Sequence, residues 1–221
     1  MRFVEQLLYV VAFTVAGLVV LAILWSTDQP YRDLARDNGV TRYTFVVLTG
    51  GQRITDLDTA VGFHHQWAAY ETGGTSEPPT FEPPLFTDDE YAHMADVRRV
   101  FDGAKFLVPL ALFVIIVRLQ RARKRSPHDM WMLVRSGSLV AAAAVALIGV
   151  VATFAFDPLF LAFHELFFPQ GNFLFPPTSN LIRLYPDWYW QGITLRVGAS
   201  FIAIALVLAG LAHLRLRRVL T

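Results

Sequence analysis

The 221-residue chain contains no cysteine. That excludes a disulfide framework, a thiolate metal site and a cysteine nucleophile. Charge is scarce as well: Asp, Glu, Lys and Arg make up 17% of the residues and nearly cancel, to a net +1. Soluble domains carry about 25%, and so balanced a chain has no global electrostatic footprint for nucleic acid. Also missing are the G-x-S-x-G elbow of serine hydrolases, the glycine-rich phosphate loop and the dinucleotide fingerprint. No internal repeat is visible.

What is present is apolar: 54% of residues are hydrophobic and the mean hydropathy is +0.43. Four segments approach the ~20 apolar residues that cross a bilayer, at about 3–25, 101–119, 138–156 and 193–214. The second is the weakest, with a short apolar core flanked by Lys105 and Arg118, whose long side chains can snorkel to opposite interfaces. The first has too long an apolar core for a signal peptide, and no A-x-A site follows it, so it reads as an uncleaved membrane helix. Orientation follows from the basic loops. RLQRARKRSPHD, between the second and third segments, and LRLRR, after the fourth, belong in the cytoplasm. Both termini are then inside, with extracytoplasmic loops at about 26–100 and 157–191. The expected fold class is mainly α and integral to the membrane: four transmembrane helices, an extracytoplasmic loop region and one interfacial helix, in a single membrane domain over 1–221.

The first loop carries structure signals. YTFVVLTGGQRIT pairs a β-branched run with a Gly-Gly turn and a second short run, which predicts a small hairpin. DLDTAVGFHHQWAAYETGG has helical spacing and a Gly-Gly stop. After a Pro-rich connector, TSEPPTFEPPL, Thr87 and Glu90 fit a capping box that starts a helix near Asp88. That helix can continue into the second membrane segment, with Gly103 as a candidate break. In the second loop, Asp157-Pro158 predicts a helix start with Asp157 as cap. Pro169 and Gly171 predict its end. The piece between is too short to span and is apolar on nearly every face, as an interfacial or re-entrant helix is.

Within it stand His164 and Glu165, and His93 maps to the same side of the membrane. Histidine is the side chain best matched to proton transfer near neutral pH. The alternative is that each ring only hydrogen-bonds a neighbour at the interface. Asp89 and Asp96, at helical spacing from His93, can face it and raise its basicity. For Asp89 and Glu90, a solvated helix start is the simpler reading. His164-Glu165 matches half of H-E-x-x-H, but the second histidine is missing. A metal site built from His93, His164 and a carboxylate has no local spacing in its favour. Of the doublet His64-His65, at most one ring can face a site. Arg196, near the outer end of the fourth segment, either snorkels or contacts an ester, phosphate or carboxylate, and Arg183 is a second candidate of that kind.

Two stretches carry a family resemblance. EYAHMADVRRVF and FHELFFPQGNFLFPPTSNLIRLYPDWYW, set in a four-helix layout, resemble the lipoprotein intramolecular transacylases, small bacterial membrane proteins. Phe173 stands where many members have tryptophan. The resemblance implies an acyl transfer in the cell membrane, within a bacterial lipoprotein whose N-terminal cysteine bears a diacylglyceryl group. The sn-2 chain moves to the α-amine, giving an N-acyl lyso-form product. His93 and His164 would be the catalytic pair, with Asp96, Glu165, Arg183 and Arg196 as supporting candidates. It implies no metal and no other cofactor, and the diacylated N-terminus and membrane lipid as partners. Two other classes stay open: a non-catalytic lipid- or lipoprotein-binding protein, and a metal-dependent membrane hydrolase.

Overall fold

The computed structural model describes residues 2–219. Eight helices and one hairpin follow in the order α1 (Arg2–Trp25), α2 (Asp28–Asp37), β1 (Arg42–Val46), β2 (Gln52–Asp56), α3 (Leu57–Glu71), α4 (Asp88–Arg125), α5 (Pro127–Phe154), α6 (Phe156–Phe167), α7 (Asn180–Leu184) and α8 (Asp187–Val219). Four of these helices are long and apolar enough to cross a membrane: α1, α4, α5 and α8. Three of them extend well beyond their apolar segments. At 1.5 Å per residue the 38 residues of α4 reach about 57 Å, against a hydrocarbon core of about 30 Å. The helix is thus longer than a crossing needs, and the apolar stretch 101–119 is preceded by three more turns of the same helix. Gly103 does not break it; the helix runs through.

The chain divides into two compact units. One holds the membrane stretches: the residues up to Ala22, Ala104–Phe154 and those from Leu195 on. Small side chains set its helix packing. A Cβ on Gly137 of α5 would fall 2.4 Å from the Tyr9 ring of α1, and one on Gly17 would fall 2.7 Å from Phe201 of α8. Only glycine admits these rings at those distances. Beside the basic end of α4, Arg125 pairs with Glu5 at 2.7 Å.

The other unit comprises Ile23–Gly103 and Ala155–Thr194. Its core is aromatic: Tyr31, Phe45 and Trp67 are fully buried, with Phe63, Tyr185 and Tyr189 around them. The hairpin forms as expected, antiparallel with Arg42 opposite Asp56 and Val46 opposite Gln52. Its turn needs Gly50 and Gly51, at φ 115° and 88°, a region that costs other residues dearly. Asn180 fixes the end of β1 from a distant part of the chain. Its Oδ1 accepts from the Val46 amide at 2.8 Å, and its Nδ2 donates to the carbonyls of Val46 and Leu85.

Helix α2 is not among the sequence expectations. Its ten residues average out as polar, but Tyr31, Leu34 and Ala35 make one buried stripe, too short to stand out beside a membrane segment. The start of α6 also differs. It begins at Phe156, with Ala155 as N-cap and Asp157 inside the first turn. Because α5 runs to Phe154, a single residue separates the two helices, and the cap falls on it. Asp157 then only complements the helix dipole. Pro158 stays in the first turn, where no intrahelical donor is lost.

Candidate active site

The capping box forms at the start of α4. The Thr87 amide donates to Glu90 Oε2 at 2.7 Å and the Glu90 amide to Thr87 Oγ1 at 3.3 Å. The other oxygen of Glu90 accepts from the Leu181 amide at 2.9 Å and from the Ser179 hydroxyl. A buried carboxylate thus ties the N-terminus of α4 to that of α7. One turn further along α4 lies His93.

His93 and His164 come together. Their rings are nearly parallel, 18° apart, with centroids separated by 6.2 Å. Phe168 and Phe175 pack on His93 at 4.9 and 5.5 Å. Phe160, at 4.2 Å, and Phe173 pack on His164. The turn-back of α6 sets the His164 ring: Nδ1 lies 2.8 Å from the Phe160 carbonyl. A carbonyl can only accept, so Nδ1 carries the hydrogen and Nε2 is the free nitrogen.

His93 is 7% exposed. Burial, with the neighbouring His164, pushes it down to about 4, against a smaller upward pull from Asp96 and Asn172. Burial lowers His164 as well. Asp96 pulls His93 in the expected direction, but desolvation outweighs it, and Glu90 is committed to its caps.

Asp96, 8% exposed, sits one turn beyond His93. One of its oxygens accepts from Arg99; the other accepts from Gln170 and, at 2.6 Å, from Asn172. This carboxylate joins α4 to the loop after α6. An open cleft of about 510 Å³ adjoins it, lined by Asp96, Arg99, Val100, Phe167 and Gln170. Gln170 and Asn172 were missed in the sequence. Their signal was two amides on either side of Gly171, whose φ is 77°, inside a phenylalanine-rich run.

The other candidates fall elsewhere. Glu165 is exposed on α6. Arg183 donates to the Thr44 carbonyl and so holds α7 against β1. Arg196 lies on α8, in the unit of membrane stretches. His64 is a core residue at 2% exposure. It stacks on Tyr31 at 4.5 Å and bonds the Tyr185 hydroxyl and the Thr27 carbonyl. Its neighbour His65 is exposed and faces Asp28. Among the described residues, no three His, Asp or Glu side chains converge as a metal cage.

Chemically, the site offers two imidazoles side by side, both made less basic by burial, in an aromatic wall, with amide and carboxylate groups behind one of them. The exposed apolar side chains of α6, such as Leu161, Phe163 and Leu166, continue that wall as a greasy surface.

No curated protein sequence matches the chain. Among solved structures, it is similar to the membrane-integral lipoprotein intramolecular transacylase Lit from Bacillus cereus. The TM-score is 0.73 at 11% identity, over 99% of this chain and 97% of that one. Two variants of the same protein, with one histidine replaced by alanine or by arginine, superpose with TM-scores of 0.69 and 0.67. Their identities are 12% and 13%, over 99% and 100% of this chain and 94% and 95% of theirs. Identity so low speaks for the fold alone. The family model of the lipoprotein intramolecular transacylase Lit matches residues 3–190, most of the chain. With the four membrane helices and the matching fold, it follows that the chain belongs to the lipoprotein intramolecular transacylase family and is a multi-pass membrane acyltransferase acting on lipoproteins.

Proposed function

We propose that this chain moves the sn-2 acyl group of a diacylglyceryl-modified N-terminal cysteine to the α-amine of that cysteine, with His93 and His164 as the acid/base pair. The observation that carries the reading is the parallel pair of imidazoles at 6.2 Å, close enough to serve one reacting centre from two sides.

Amine and ester belong to one molecule, so the enzyme only has to fold the headgroup into attack geometry, a gain of several kcal/mol by proximity alone (~7–11 in the best cases). The amine nitrogen attacks the ester carbon and forms a tetrahedral oxyanion. One imidazole takes a proton from that nitrogen. The proton passes to the other imidazole, and the C–O bond to glycerol breaks as that ring's N–H protonates the leaving oxygen. One N–C bond has formed, one C–O bond has broken, and one proton has moved from nitrogen to oxygen. The phenylalanine wall excludes water, which disfavours hydrolysis of the ester, and the exposed apolar face of α6 offers the acyl chains a surface. The basic last turns of α4, residues 118–125, support a cytoplasmic position for that end of the helix, by the positive-inside rule. The histidines would then work on the extracytoplasmic side.

The direct test is mass spectrometry of a lipoprotein N-terminus after expression of the chain in a bacterium lacking this activity. An N-acyl cysteine with a lyso-glyceryl thioether is expected. Lipoproteins that keep both glyceryl ester chains and a free amine would sink the proposal.

The depressed histidines give the pH profile its shape. With His93 at about 4 and His164 also lowered by burial, both rings are already neutral near pH 7. The substrate amine, with an unperturbed pKa of about 7.7–8.0, is then the group that loses its proton there. Log kcat/KM is expected to rise with a slope of one between about pH 6.5 and 7.5 and to level off above 8. A second break near 6.5, steepening the slope to two below it, would show that a histidine with ordinary basicity must also deprotonate.

A further inference from the structure

The geometry points to Asn172 as a positioning residue that holds the His93 ring with its hydrogen on Nδ1, so that Nε2 is left free for the reaction. The inference rests on the proposed role of His93 and deepens it.

A carboxylate oxygen can only accept. The contact of Asn172 with Asp96 at 2.6 Å must therefore use the amide nitrogen, which turns Asn172 Oδ1 away from Asp96. Asp96 is not free to swing, since Gln170 shares the same oxygen and Arg99 holds the other. Among the described residues, Asn172 Oδ1 and His93 Nδ1 are both buried side-chain atoms that fall outside strict hydrogen-bond geometry to any partner. One is an acceptor, and the other is a ring nitrogen that can donate. The two side chains also interact in the sense expected of an oxygen facing a ring N–H, because Asn172 favours the protonated ring. Pairing them satisfies both orphans at once. His164 is set the same way by another device, its Nδ1 on the Phe160 carbonyl. Both rings would then present Nε2 to the reacting group. The second partner of a histidine commonly fixes which nitrogen does chemistry. Here that partner is a neutral amide, itself oriented by a carboxylate.

The experiment uses full-length protein labelled with 15N-histidine in detergent micelles, with His93 signals assigned by comparison with His93→Gln. Wild type should show the Nδ1–H form for His93. Asn172→Leu, similar in shape but without an acceptor, should move His93 toward the Nε2–H form and leave His164 unchanged. With it, kcat should fall roughly 10–100-fold while KM changes less than threefold. Asn172→Asp, facing the Asp96 carboxylate at hydrogen-bond distance, should share a proton with it and keep its other oxygen against Nδ1, so the Nδ1–H form should persist. Should Asn172→Leu fail to fold, the Asn172→Asp ring signals decide: a His93 in the Nε2–H form there overturns the inference. So does a wild-type His93 in the Nε2–H form, or ring signals unchanged in Asn172→Leu, or a changed tautomer with kcat intact. If wild type itself forms no N-acyl product, the proposed function falls, while the ring signals still decide how His93 is held.

Discussion

Replacing His93 or His164 by alanine is expected to lower formation of the N-acyl product by about 10²–10⁴-fold. The double variant should be no worse than the poorer single one. The size of the effect follows from what each ring does. In the proposed reaction the proton leaves nitrogen at one imidazole and reaches glycerol oxygen from an imidazole. With one ring gone, the other holds a proton with no paired site to pass or receive it. Residues that act as a unit lose nearly everything at the first deletion, so the effects do not add. What survives is the proximity of amine and ester, which needs neither ring.

The control is structural. His93 is packed between Phe168 and Phe175, so truncation to alanine leaves a gap as well as removing a base. His93→Gln fills most of that gap and cannot exchange protons near neutral pH, so it should fold like wild type and remain inactive. His164 is less buried, and His164→Gln serves the same purpose there. Mass spectrometry of the lipoprotein N-terminus reads the product, and a thermal unfolding midpoint in detergent reads the fold. Single variants that fold normally and yield undiminished product would sink the acid/base role and favour a lipid-binding protein.

Much of this was legible in the sequence wherever the determinant is local. Gly50-Gly51 specify the hairpin turn, Thr87 and Glu90 their capping box, and the apolar runs the four membrane helices. Each rests on contacts within a few residues, and their pattern survives in one dimension. Helix ends were less legible. The apolar criterion finds the part of α4 that suits lipid, not the three turns before it that continue the same hydrogen-bond ladder. The pairing of His93 with His164 could be approached only as far as a shared side of the membrane, with the family resemblance to join them. Their basicity was not legible. Asp96 at three residues' spacing is visible in the sequence, whereas the burial that outweighs it comes from Phe168 and Phe175, more than seventy positions away. Asn172 and Gln170 are silent for the same reason: nothing local says that both reach Asp96.

Glu90 shows how one residue can be read correctly and still be undervalued, and Glu90→Ala should give the largest stability loss of any single change to the loop unit's polar framework. As a cap alone it would be worth about 1 kcal/mol. The carboxylate is 2% exposed, however, and it accepts from Thr87, Leu181 and Ser179. Removing it strands the Thr87 amide and the Ser179 hydroxyl and leaves the Leu181 amide only its 3.2 Å contact with Ser179 Oγ, at about 1–3 kcal/mol for each buried group left unsatisfied. Water can reach some of them once the side chain is gone, so the net cost should be about 2–4 kcal/mol rather than the full sum. For a protein of this size that corresponds to a fall of roughly 5–15 °C in the unfolding midpoint. Glu90→Gln should lie between, because its amide keeps one acceptor but turns a donor toward other donors. Asp89→Ala, at the exposed next position, should move the midpoint by no more than a degree or two, as surface substitutions do. The same measurement on Ser179→Ala separates the two ends of the link. It removes one donor to Glu90 along with the α7 cap, and should cost about 1 kcal/mol. If Glu90→Ala unfolds no earlier than Ser179→Ala, the carboxylate is a cap and nothing more. If it unfolds much earlier, the first turn of α4, and with it the position of His93 one turn on, is held by a contact made ninety residues down the chain.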